Sequence, residues 1–122
     1  MRESSKWTLH IVAGVAILVL LGLHMLIMHM QSLLAWLGLA TANVTSFEAV
    51  AHRGKEAFFM VTYILLLGAA LYHGLYGLRN IMLEIVSGRT AARAVGGLLT
   101  LIGLAFFALG TYAAIAAYNL KI

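Results

Sequence analysis

Three stretches of this chain are long enough and apolar enough to cross a lipid bilayer, at residues 9–30, 57–78 and 94–118. A spanning helix needs about 20 mainly apolar residues. Inside hydrocarbon every backbone N–H and C=O must be paired within its own segment, so each stretch is expected to be helical. Composition agrees: 63% of the 122 residues are hydrophobic and 10% are charged, where a soluble domain carries about a quarter charged residues. The expectation is an all-α integral membrane protein with one membrane domain over residues 1–122. Its three helices lie at about 9–30, 57–84 and 94–118, the first open to extension as far as Leu39 with Trp36 at the interface and the second carrying a polar extension to Glu84.

The same figures exclude several classes. Without cysteine the chain builds no disulfide, thiolate metal site or iron–sulfur cluster. The formal charge of +4 is not a nucleic-acid signal, because the basic residues stand at the ends of the apolar runs, where headgroups and partner proteins meet them. Arg2 and Lys6 ahead of an apolar run resemble a signal peptide. The run exceeds the roughly 7–15 residues of a signal core and Gln31-Ser32-Leu33 is a poor cleavage site, so a retained helix is expected. No phosphate loop, paired catalytic carboxylates or nucleophile–base set is present.

Between the first two spans, residues 41–56 form the most polar stretch, with Asn43, Thr45, Ser46, Glu48, His52, Arg53 and Lys55. Ser46 is placed to cap a short helix with Glu48 in its first turn. Between the second and third spans Ser87-Gly88-Arg89-Thr90 reads as a short turn, with Gly88 as the C′ residue of the second helix. Arg2, Lys6, Arg79, Arg89 and Arg93 fall on one side of the bilayer and Arg53, Lys55 and Lys121 on the other. The excess of basic residues places the N-terminus inside and the C-terminus outside.

Polar groups within a spanning helix call for a reason. His73 lies in the apolar run 65–78, and at 100° per residue Ala69, Ala70, Gly77, Asn80 and Glu84 share its side, with Tyr76 bordering it. Small residues one turn above and below an imidazole leave a trough in which a porphyrin edge can lie while the histidine reaches iron. The same pattern also suits close helix packing with His73 hydrogen-bonded across the interface. His24 is deeper: about 24 Å from the inner edge if the helix begins near Thr8, against about 10 Å for His73, at 1.5 Å per residue. The two are not expected to share one iron. His10 shares nearly the face of His24 but sits at the membrane edge, as a contact for a headgroup or a heme propionate. His29 and His52 are expected near or in solvent. Met25, Met28, Met30, Met60 and Met82 offer no coordination set and read as packing material.

The run Tyr72-His73-Gly74-Leu75-Tyr76-Gly77-Leu78-Arg79-Asn80-Ile81-Met82-Leu83-Glu84 resembles the second-helix motif of the membrane anchor subunits of succinate dehydrogenase and fumarate reductase, of the b-type cytochrome kind. That motif reads His-x-x-x-Gly-Ile/Leu-Arg, with Asp or Glu five residues later. Here it is His73, Gly77, Leu78, Arg79 and Glu84. Gly14 through His24-Met25 and Gly110-Thr111-Tyr112 are similar to the first and third helices of such anchors.

The resemblance implies His73 as an axial ligand of heme b iron. It implies a quinone, menaquinone or ubiquinone, bound near the inner interface. It also implies a bundle formed with a second membrane anchor subunit, an Fe–S subunit and a flavoprotein subunit docked on the inner face, and the inner (cytoplasmic) membrane of the cell. The chain would then be a non-flavin subunit of the enzyme, with no dicarboxylate chemistry of its own. Arg79, about 120° around the helix from His73, suits a heme propionate or a lipid phosphate. Glu84, Ser5 and Trp7 are assigned to the vicinity of the quinone, with a solvated helix end near Arg89 as the other reading of Glu84, and His24 to a second heme. Ile11, Ala13 and Ile85 stand where such anchors place polar quinone-site residues, so much of that pocket is expected from partner chains. The alternatives are a diheme cytochrome b using His24 and His73, and a heme-free assembly or transport subunit whose histidines bridge helices.

Overall fold

The computed structural model describes residues 2–39, 43 and 46–121. It contains helices α1 (Glu3–Trp36), α2 (Phe47–Gly54), α3 (Ala57–Ile85) and α4 (Arg89–Tyr118), and no strand among the described residues. The three long helices are each apolar enough to cross a membrane. All three run past the apolar stretches that mark them in the sequence. At 1.5 Å per residue α1 is about 51 Å long, well beyond the roughly 30 Å hydrocarbon layer, so it tilts or projects. Its first turn is polar: Arg2 is the extended N-cap, the Lys6 ammonium donates to Glu3 at 2.9 Å, and the Thr8 hydroxyl donates to the Ser4 carbonyl.

Ser46 caps α2 as expected, its hydroxyl accepting from the Ala49 N–H at 3.3 Å, with Glu48 in the first turn. Replacing Ser46 by Ala is expected to cost about 1 kcal/mol and to raise amide exchange within α2 alone. Thr41 and Thr45 lie outside the described residues. Gly88 departs from its expected role. The α3 C-cap is Val86, and Gly88 is instead the N-cap of α4, at φ 108°. That backbone conformation is open to glycine at little cost, and it lets α4 start at Arg89 rather than Ala94.

α3 packs against both α1 and α4, whereas among the described residues the α1 and α4 backbones do not approach each other closely. The three spans therefore form a layer, not a closed triangle. α2 crosses the end of the α3–α4 pair, where a Cβ on Gly54 would stand 3.2 Å from the Ala117 methyl. The α3–α4 seam is built from glycines facing bulky side chains: Gly103 against Leu75, Gly110 against Leu67, and Gly68 against Phe107. Small residues permit this close approach in a membrane, where helix association rests on packing. Ala13, Ala51 and Leu99 are the buried hydrophobic residues, and no large side chain is fully buried among the described residues. Both broad faces of the layer are consequently apolar and open to lipid or to a partner.

Candidate functional site

His73 faces α1. Its Nδ1 lies 3.0 Å from the backbone carbonyl oxygen of His10. A carbonyl only accepts, so Nδ1 carries the proton and donates. The neutral ring then has its lone pair on Nε2. The His10 ring stacks on the His73 ring, with centroids 4.0 Å apart and planes 3° from parallel, and Tyr76 sits 5.2 Å from the His10 centroid. Two glycines make this possible. A Cβ at Gly14 would stand 3.1 Å from His73 Cε1, and one at Gly77 would stand 3.6 Å from His10 Cε1. The expectation for His10 is thereby corrected, because its ring is turned inward and its Nδ1 is buried without a hydrogen-bond partner. The open trough expected beside His73 is corrected as well. Gly77 receives the His10 ring, Ala70 is exposed, and the space beside the imidazole is made by Gly14 of another helix.

A second constellation lies around α3 from His73, toward α4. Tyr72 donates from its hydroxyl to the Lys6 carbonyl at 2.9 Å and stacks on Tyr76 at 5.8 Å. The Arg79 guanidinium lies 6.0 Å over the Tyr76 ring, 3.3 Å from Asn80 Oδ1 and 3.8 Å from the Glu3 carboxylate. These residues border two joined cavities. One is an apolar groove of about 450 Å³ between α3 and α4, running from Arg79 and Gly96 to Gly68 and Phe107. The other, of about 540 Å³, is its polar mouth, with Lys6, Arg79, Arg89 and Arg93. No histidine lines either cavity.

The remaining candidates are dispersed. His24 packs edge-on against Tyr63, centroids 5.6 Å apart, beside a cavity of about 100 Å³. Tyr63 lies about 15 Å along α3 from His73 at 1.5 Å per residue, so His24 and His73 occupy separate levels. Glu84 is exposed near the end of α3, with no ion pair to Arg89 among the described residues. Ser5 and Trp7 are exposed on the first turns of α1, on either side of Lys6, and line neither cavity of the α3–α4 groove. His29 is exposed; His52 is exposed too and lies 3.6 Å from Glu56. Among the described residues no group of three or more His, Asp or Glu side chains is placed to hold a bare metal ion. A heme iron needs no such group, since the porphyrin supplies its equatorial nitrogens.

Three apolar helices in a coreless layer, one presenting an oriented imidazole, define a multi-pass membrane subunit built to associate. The chain belongs to the family described as succinate dehydrogenase/fumarate reductase transmembrane subunit, which matches residues 3–116, and it is a membrane anchor subunit of a succinate:quinone oxidoreductase complex. It is 29% identical over 110 residues to the succinate dehydrogenase hydrophobic membrane anchor subunit of Archaeoglobus fulgidus, covering 90% of this chain and 86% of that protein. No solved structure matches the chain. Membership implies association with the other subunits of the complex and with the membrane.

Proposed function

We propose that His73 is an axial ligand of a heme b held at the seam between this chain and a second membrane anchor subunit. The observation that carries this reading is the bond from His73 Nδ1–H to the His10 carbonyl. Metal-ligating histidines nearly always donate their other ring N–H to a carboxylate, a carbonyl or water, which fixes the tautomer and raises ligand basicity. Nε2 is thereby the nitrogen available to iron. His10 is not the opposite ligand. Its ring lies flat against that of His73, with centroids 4.0 Å apart, so the two imidazoles would not hold one iron between them. The second axial histidine comes from the partner anchor, which is consistent with a layer whose broad faces are uncovered.

Bound there, the heme supplies a one-electron carrier whose potential its axial ligands tune. His73 orients and holds it, the His10 carbonyl fixes the imidazole, and Gly14 leaves room for the ring. The Fe–S and flavoprotein subunits dock at the end of the bundle where α1 starts at Glu3 and α4 starts at Arg89. That end faces inside in an N-terminus-in, C-terminus-out arrangement. Quinone, as menaquinone or ubiquinone, is reduced near that interface, with Ser5, Trp7 and Glu84 in its vicinity and much of the pocket from partner chains. His24 is the weaker candidate for a second heme: its ring already packs on Tyr63, and the adjoining space is far smaller than a porphyrin.

Purified complex reduced with dithionite tests the assignment. One b-type α-band is expected, at one heme per pair of anchors, with a low-spin bis-imidazole signal in the oxidised state by electron paramagnetic resonance. Two hemes per pair would favour the diheme alternative, and a heme-free complex would remove the assignment.

A further inference from the structure

We propose that the groove between α3 and α4 holds one anionic phospholipid, its headgroup among Lys6, Arg79 and Arg93 and an acyl chain along Leu75, Gly103 and Phe107. This inference does not depend on the heme. The mouth and the trough share Tyr72, Tyr76, Arg79, Gly96 and Thr100, so they are one continuous space with two chemistries.

Charge decides the class of occupant at the mouth. Lys6, Arg79, Arg89 and Arg93 line it, and the carboxylate paired with any of them is Glu3, shared by Lys6 at 2.9 Å and Arg79 at 3.8 Å. Four cations against one carboxylate leave a surplus of three, which an anion relieves. Basic pockets between spanning helices bind acidic lipid headgroups for this reason. The position fits too, because the mouth lies where the apolar runs end, at headgroup level.

Shape decides the rest. From Arg79 to Gly68 the trough follows α3 for about 16 Å at 1.5 Å per residue. That is about half of a 30 Å hydrocarbon layer, hence the depth of one leaflet. Its walls are apolar apart from Arg79 and the tyrosine and threonine hydroxyls at the top. A heme fits poorly, since no histidine lines the space. A quinone head is neutral and leaves the cationic surplus unanswered.

Spin-labelled phosphatidylglycerol and phosphatidylcholine, each at trace level in phosphatidylcholine nanodiscs containing the whole complex, test the proposal. The protein-immobilised fraction should favour the glycerol lipid by about ten-fold or more, the surplus cations each adding to the preference. Arg93→Gln is expected to lower that ratio about five-fold, the contribution of one basic residue near a membrane surface. Gly96→Leu keeps every charge and places its side chain across the waist of the groove. Its Cβ is accommodated, 3.8 Å from Arg79 Nε, and the ratio should fall toward one. Arg2→Gln, at the same end but outside the groove, should leave it unchanged. Equal immobilisation of both lipids by the wild-type complex would overturn the proposal, as would an equal loss in Arg2→Gln, or a partner helix or quinone filling the groove. Size-exclusion of each variant establishes that the complex is intact.

Discussion

In purified complex carrying His73→Ala, the dithionite-reduced α-band is expected to fall to background, while His24→Ala retains it. The first substitution removes the imidazole whose Nε2 is free for iron. The second removes a ring that packs on Tyr63 at another level of the bilayer. His10→Ala separates ligation from stacking. It deletes the ring lying 4.0 Å over His73 but keeps the backbone carbonyl that accepts from Nδ1, so heme should persist. His73→Gly supplies a further check, since added imidazole should restore part of the band if the defect is a missing ligand and not a collapsed fold. An unchanged band in His73→Ala, with intact complex by size-exclusion, would refute the assignment.

The second large effect is expected at Gly14. A Cβ there already stands 3.1 Å from His73 Cε1 and 3.2 Å from Nδ1, and the ring has little freedom to retreat because Nδ1 is tied to α1 itself. Gly14→Leu therefore forces α1 away from α3. Overpacking of this kind costs about 1–3 kcal/mol, and losing the His73–His10 hydrogen bond adds about 0.5–1.5 kcal/mol. A lower midpoint of thermal inactivation and a reduced heme content should appear together. Gly22→Leu is the matched control, on the same helix with nothing within 4 Å of the added Cβ, and should change neither. If both variants behaved alike, the contact at Gly14 would carry no weight.

The three spans were legible because lipid selects against charge over a fixed thickness. The helix ends were not, because hydropathy locates hydrocarbon and says nothing of helix continued by polar residues. α1 starts at Glu3 and α4 at Arg89, each ahead of the apolar run that marks it. Gly88 was misjudged in role for a related reason. Its positive φ serves the turn, and with α3 ending at Ile85 that turn belongs to the start of α4. Within the site, the position of His73 on the second span followed from hydropathy, but neither the trough read from Ala69, Ala70 and Gly77 nor the helix that His73 faces did. Helical periodicity relates residues on one helix, whereas the meeting of His73 with His10 and Gly14 depends on the register between two. One signal did exist for the α3–α4 seam. Gly96, Gly103 and Gly110 recur every seven residues on one stripe of α4, the spacing that keeps a small-residue face turned toward a neighbour.

The arrangement of the spans bears on how the subunit matures. Among the described residues α3 is the one long helix that packs against both α1 and α4, so the cohesion of the spans within one chain rests on two narrow helix seams. On the heme reading, uniting the two anchors and inserting the cofactor become a single thermodynamic event, because each supplies what the other half-wall lacks. A chain that fails to meet its counterpart is left in the bilayer with both apolar flanks uncovered.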